Sequence, residues 1–464
     1  MHHSDAVRRE KMKSCLARYR IYCKERKRGS DPSQARHSGR RRRVGAVRRR
    51  LRHGSRTALR VIRWSRPGPC WRLSIEIRRN TIRSEGPPEQ EEAGAVDRRF
   101  SDRRPGSEEL KSNSSEAAAD IAAFRAIELI YHSYLTGLIL MLSSRAGPQR
   151  AAEIVFRTFR RQQLARFLPG LKKLGLDGLP HAVACAQYHY LSNQVGGVKV
   201  EYVYENDRKA WVRYPPPRWI WWGTAICGIP SEVSRAMLWG WHANNGVVLG
   251  NPRLGFVCTG QTVDGQPGLE GYYREWDHDL APEERLQFSP GERCPTFDPD
   301  SAPKLPENTW PEERLRKVLR NYSMEYVTSI VPETVAVLGP EEGGHLAGAA
   351  ARLIGMHAFD EVASLLGGVE RGAAGFAKAF ARLAAGQGDD AGLDGEGDVV
   401  TVQQTSWRLM SAREELSPVV FDAWNELWVG AALAHDRFMR IELIKRRDRG
   451  DPVWCWRFSN GRPR

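Results

Sequence analysis

The sequence predicts an α+β fold built from two tandem copies of one unit, each a helical segment followed by a ββαββ unit with an antiparallel sheet. Three observations carry this. Two long blocks have apolar residues at helical spacing, and both are punctuated by the same pair, Gly147-Pro148 and Gly339-Pro340. Short alternating runs rich in β-branched and aromatic residues follow each block. A set of residues recurs at a single offset of 185: Trp222 with Trp407, Trp239 with Trp424, Gly265 with Gly450, Pro267 with Pro452, and Tyr273 with Phe458. Such a period is far longer than the roughly 20–50 residues of a solenoid repeat, so it indicates a duplicated domain. Two unrelated α+β domains sharing turn chemistry are the plainer alternative.

The expected organisation is a basic disordered leader over 1–117, a first α+β repeat over 118–300 and a second over 301–464. The leader holds most of the charge. Of a formal net +16, residues 1–110 contribute 31 Lys+Arg against 13 Asp+Glu, leaving the other 354 residues at −2. Its Arg runs (40–43 and 48–50) stand among Pro, Gly and Ser without a sustained apolar period. A segment of that kind buries too little apolar surface to offset its ordering entropy. Three readings stay open: a disordered tail, upstream DNA translated from an over-extended start, and an arm that binds nucleic acid by counterion release. The neutral remainder removes bulk charge as an argument for a nucleic-acid partner.

In the first repeat the spacing predicts helices over Ala117–Leu142, Pro148–Phe167 and Leu179–Ser192. The first stops at Gly147-Pro148, the second takes Pro in its first turn, and the third ends before Gly196-Gly197. Strands are expected over Val198–Tyr204 and Ala210–Tyr214 around Asn206-Asp207. A helix over Ser231–Leu249 follows, with Ser231 as N-cap and Glu232 in its first turn. A hairpin of Leu254–Thr262 and Leu269–Trp276 turns at Asp264-Gly265. The second repeat reads alike: helices Glu312–Leu338, Pro340–Leu366 and Ala373–Ala385, a Gly/Asp-rich loop over 386–397, and strands over Asp398–Gln404 and around Trp407. A helix over Val419–Ala434 and a hairpin of Phe438–Lys445 with Val453–Phe458 complete it.

Eight scattered cysteines without a CxxC pair lack zinc-ligand spacing and a disulfide framework. No metal or cofactor is expected, and free thiols without a secretory signal fit a cytoplasmic location. The most apolar run, Ile127–Leu142, carries Glu128, His132, Ser133 and Thr136. It falls short of the roughly 20 residues of a membrane span and reads as a buried helix. Phosphate loops, a GxSxG elbow and HExxH are absent from the sequence.

Candidate site residues lie mainly in the first repeat. Trp211, Arg213, Arg218 and Trp222 flank a stiff triple proline and can line a cleft for a planar or anionic ligand. Asn244 and Asn245 read either as ligand contacts or as helix-termination chemistry. Cys227 precedes a helix start, where unpaired N–H groups can activate a thiol. A base for it must come from elsewhere in the fold: His242 lies four helical turns along, and His189 is the nearest candidate in type. Core packing for the tryptophans and a buried structural role for Cys227 are the alternatives. Offset 185 carries His242 to Leu427 and Cys227 to Ala412, so the repeats do not share these groups.

The stretch Phe421-Asp422-Ala423-Trp424-Asn425, then Arg449-Gly450-Asp451 and Cys455-Trp456-Arg457-Phe458, resembles the end of the L-2-amino-thiazoline-4-carboxylic acid hydrolase-like family. The first repeat resembles the same arrangement, with Cys227 where that family often has a cysteine. Trp239, Trp241, Trp424 and Trp428 stand where the family has further cysteines. The resemblance implies a small-molecule-binding protein that hydrolyses a cyclic C–N bond, with Cys227 as nucleophile and His189 or His242 assisting. The alternative is a non-enzymatic ligand sensor or scaffold with a Trp/Arg-lined cleft. The expected partner is a small-molecule ligand, with no membrane, and with nucleic acid only through a genuine leader.

Overall fold

A computed structural model of the protein describes residues 107–216, 223–305, 308–411, 413 and 415–461, with side chains from Ile121 onward except at 312, 313 and 316. Residues 1–106 of the expected 1–117 leader, with Arg218 and Trp222, lie outside the described residues. Residues 105–464 fold as one compact unit, an α+β arrangement of helices and two sheets.

Helix α1 (Ser107–Arg145) begins ten residues before the expected leader boundary and continues to the Gly147 break. Helix α2 (Pro148–Leu174) starts with Pro at its first position and ends on left-handed Gly175. Helix α3 (His181–Val195) leads to β1 (Glu201–Asn206) and β2 (Lys209–Tyr214). Then come α4 (Ser231–Gly240), β3 (Leu254–Gly260), β4 (Leu269–Glu275) and β5 (Leu286–Phe288). The second half runs α5 (Glu312–Leu338), α6 (Pro340–Leu365), α7 (Gly372–Gln387), β6 (Ala391–Asp394) and β7 (Val399–Gln404). It closes with α8 (Pro418–His435), β8 (Arg440–Lys445) and β9 (Trp454–Ser459).

One sheet has the order β1-β2-β4-β3-β5 and the other β6-β7-β9-β8. Both end in a hairpin whose first strand carries a register shift, between Cys258 and Gly260 in one and between Leu443 and Lys445 in the other. Each hairpin turns through a 3₁₀ segment closed by a left-handed glycine, Gly265 (φ 79°) and Gly450 (φ 98°). Any other residue would be strained there. Strand β5 pairs parallel with β3, so the first sheet is not wholly antiparallel, and β5 had no strong sequence signal.

Helices α1, α2, α5 and α6 pack together, while α3 covers the inner face of the first sheet and α7 that of the second. Helices α4 and α8 flank this layer against α2 and α6 respectively. The α2–α5 crossing is pinned by Arg161, whose Nε donates to Glu333 at 2.7 Å, and by the Arg166–Glu325 pair at 2.5 Å. Among the described residues one helical stretch, Ile121–Arg145 of α1, is long and apolar enough to cross a membrane by length and composition, and 61% of its apolar window is buried in the fold. Its Tyr131 and Tyr134 rings meet Trp424 of α8 edge-on at 5.3 and 5.2 Å.

Three expectations need correction. Residues 391–394, read as loop, form β6 by pairing with β7. The stretch around Trp407, read as strand, is a 3₁₀ turn over Arg408–Met410. The helix expected over Ser231–Leu249 ends at Gly240, and Pro230 rather than Ser231 is its N-cap. The Ser231 hydroxyl donates to Asp264 instead.

Candidate functional site

A cavity of about 690 Å³ lies where α2, α3 and the turn after α4 meet α5 and the Arg408–Met410 turn. Helical spacing builds its walls. Phe159, Gln162, Arg166, Gly170 and Lys173 fall three or four apart along one face of α2. Val318, Tyr322, Glu325 and Thr328 do the same on α5. Gly170 is required by close approach: a Cβ there would sit 2.6 Å from Cε2 of Tyr188, whose ring lines the cavity.

The inner end is a column of rings. His189 of α3 stacks on His242 with centroids 4.2 Å apart and planes 11° from parallel. Tyr273 lies nearly parallel to both, at 5.8 and 6.0 Å. The Tyr214 hydroxyl is 2.9 Å from His189 Nδ1. Tyr188 stacks on Trp241 at 6.2 Å. His189 and His242 are each 4% exposed and both line the cavity, so two sequence candidates 53 positions apart come together.

What brings His242 there is the break after Gly240. Buried Arg160 donates from Nε to the Gly240 carbonyl at 2.8 Å and from Nη2 to the Trp239 carbonyl at 2.7 Å. Its Nη1 donates to Asn244 Oδ1 at 2.6 Å. These carbonyls belong to a helix C-terminus and lack intrahelical partners. Asn244 Nδ2 donates to Gln163 Oε1 at 2.7 Å. Gln163 Nε2 donates to Asn245 Oδ1 at 3.1 Å, and Asn245 Nδ2 donates to the Tyr273 hydroxyl at 2.9 Å. Asn244 and Asn245 are buried and absent from the cavity lining. They hold the turn that presents His242. Arg160 and Gln163 were missed in the sequence, although a charged residue on the apolar face between Phe156, Phe159 and Phe167 is a visible signal.

The lining also holds three cations, Arg166, Lys173 and Arg408, with Glu325 as the carboxylate. The Lys173 ammonium lies 5.5 Å from the Trp310 ring centroid, and the Arg314 guanidinium 4.0 Å from the same ring. Burial, with Arg314 and Arg166 alongside, pulls Lys173 below its ordinary value. The Tyr326 hydroxyl donates to Tyr322, and Tyr322 donates to Asn193 Oδ1 at 2.9 Å, linking α5 to α3.

The remaining candidates lie elsewhere. Strand alternation puts Ala210, Val212 and Tyr214 on one face of β2 and Trp211 and Arg213 on the other. Trp211 packs edge-on against Tyr272 at 4.6 Å and donates to Glu205. Arg213 pairs with Glu201 at 2.6 Å and faces Glu270 at 3.5 Å. Neither lines the cavity, and Tyr214 takes the place assigned to them. Cys227 is exposed on a 3₁₀ turn over Gly223–Gly228, packed against α1 and the Thr262–Asp264 turn, and it too is absent from the lining. Among the described residues no cluster of His, Cys, Asp and Glu could hold a metal ion.

Fold and site together define an α+β protein with a cavity lined by aromatic rings and cations. The chain matches no family model, no curated protein and no solved structure.

Proposed function

We propose that the chain binds a small planar anion in this cavity, ring toward His189 and His242 and acid group toward Arg166, Lys173 and Arg408. The observation that carries this is one cavity lined both by stacked rings and by three cations. Its volume lies within the roughly 300–1,000 Å³ usual for ligand sites, and cation–aromatic neighbours suit a planar acid. The location we propose is cytoplasmic.

We further propose that the two halves are copies of one module, and that the cavity beside the first sheet has no open counterpart beside the second. The matching strand orders and hairpin turns support this. Phe458 stands where Tyr273 does, and Phe380 packs against it, against Trp456 and against Trp428 in a filled aromatic core.

Binding is favoured over thiol catalysis because Cys227 lies outside the lining. A second reading, hydrolysis of a cyclic C–N bond, is favoured by the Tyr214–His189 hydrogen bond at the cavity wall, a geometry that can move a proton. Tryptophan fluorescence discriminates the readings. Indole-3-carboxylate, a planar acid, is expected to quench emission in the wild type and in Cys227→Ser, and to lose most of that quenching in Trp241→Phe. Quenching unchanged in Trp241→Phe and Trp310→Phe would place the ligand elsewhere. Turnover abolished by Cys227→Ser would restore the thiol mechanism.

A further inference from the structure

The Arg408 side of the cavity is supplied by a three-residue turn and not by a long helix or strand, so its placement depends on what fastens it. Asp389, just beyond α7, is 3% exposed. Its Oδ1 accepts from the Ser406 hydroxyl at 2.6 Å and from the Arg408 backbone N–H at 2.7 Å. Its Oδ2 accepts from Gln387 Nε2 at 2.6 Å, and Gln387 Oε1 in turn accepts from the Tyr131 hydroxyl of α1. Gly388 leaves room for the arginine: a Cβ there would meet Arg408 Cδ at 2.9 Å and Arg320 Nη1 at 3.3 Å. The far side of the turn is fastened by Thr328, whose hydroxyl donates to the Leu409 carbonyl.

We infer that Asp389 is a positioning residue for the cavity: by gripping the Ser406–Arg408 turn it sets where the Arg408 charge stands, and so sets the preference for anionic over neutral ligands. The inference rests on the cavity being a ligand site. A carboxylate suits the role because three donors converge on it, and hydrogen bonds to a charged acceptor are the strong ones. Burial acts against it and pushes its proton affinity up, while the bonds from Ser406, Arg408 and Gln387 pull it down. A buried group of that sort is retained only where its partners are well placed. The amide in Asp389→Asn has one accepting oxygen in place of two and brings an N–H₂ to face donors.

Two fluorescent probes with the same rings test this: 8-anilinonaphthalene-1-sulfonate, an anion, and N-phenyl-1-naphthylamine, which is neutral. Titrations use the full chain. Asp389→Asn is expected to weaken the sulfonate about tenfold, the size of one lost charge-assisted contact, and to leave the neutral probe within about twofold. In an Arg408→Ala background Asp389→Asn should add nothing to the loss. Ser406→Ala, a milder change that removes one donor, should give a smaller loss with the same selectivity, and it serves if Asp389→Asn fails to fold. Equal weakening of both probes, or a full Asp389→Asn effect without Arg408, would overturn the inference while leaving the cavity reading intact. Failure of the wild type to bind either probe would remove the site, and the inference with it.

Discussion

Single side chains decide where this chain departs from its local preferences. Arg160 ends α4 by taking two of its last carbonyls, although the sequence from Ser231 to Leu249 has a helical pattern throughout. Its partners lie about 80 positions away, so no window of sequence contains the cause. His189 and His242 were recognisable as residues able to carry chemistry, but their stacking depends on that distant break. Trp211 and Arg213 were misplaced for a simpler reason: position along β2 was read without its alternation. A different buried group makes an acid-sensitive prediction. Burial lowers His132 from 6.5 to about 4. Between those values the unfolded chain binds a proton that the folded chain does not. The stabilisation is therefore complete above pH 6.5 and is lost as pH falls toward 4, by about 3 kcal/mol at the full shift. Urea unfolding across this window should lose stability more steeply in the wild type than in His132→Leu. Equal slopes would show that His132 does not contribute.

At the level of elements, long helices were the most legible. Their limits at Gly147-Pro148 and Gly339-Pro340 are where the chain turns, with Gly147 at φ 89° and Gly339 at φ 86°. Strand β6 was hidden because Ala391–Asp394 lacks β-branched residues and exists through its pairing with β7. The turn at Trp407 was hidden because Asp389 shapes it from outside. Helices α6 and α8 cross so closely that their glycines touch opposing backbone. A Cβ on Gly430 would lie 2.0 Å from the Arg352 carbonyl oxygen, and one on Gly355 would lie 2.0 Å from that of Leu427. On Gly344 it would meet only the Val419 side chain, at 2.3 Å. Gly430→Ala must therefore push α6 and α8 apart and is expected to cost about 3 kcal/mol by overpacking. Gly344→Ala should cost less, since a side chain moves more easily than a backbone. Thermal melts rank the two variants, and a Gly430→Ala melting temperature equal to that of the wild type would contradict the crossing.

Across the whole molecule, the α+β class and the order of elements could be read from periodicity and punctuation. The interlocking of the halves could not. Helix α1 packs on α5, α6 and α7, and α2 on α5, so each half covers apolar surface belonging to the other. Residues 105–300 expressed alone should aggregate. Co-expressed with 301–464, they should be recovered as a one-to-one complex by size-exclusion chromatography. A soluble, folded 105–300 fragment would show that the first half needs no cover.

The three-residue strand β5 has a wider effect than its length implies. It lies along β3 and occupies what would otherwise be the outer margin of the first sheet. In the second sheet that margin is β8, where Arg440, Glu442 and Lys445 stand exposed. An open row of backbone donors and acceptors invites other chains to add on and grow fibres. This protein closes one such row with its own linker and lines the other with alternating charge, so on the side opposite β1 and β6 neither sheet offers a clean template for self-association.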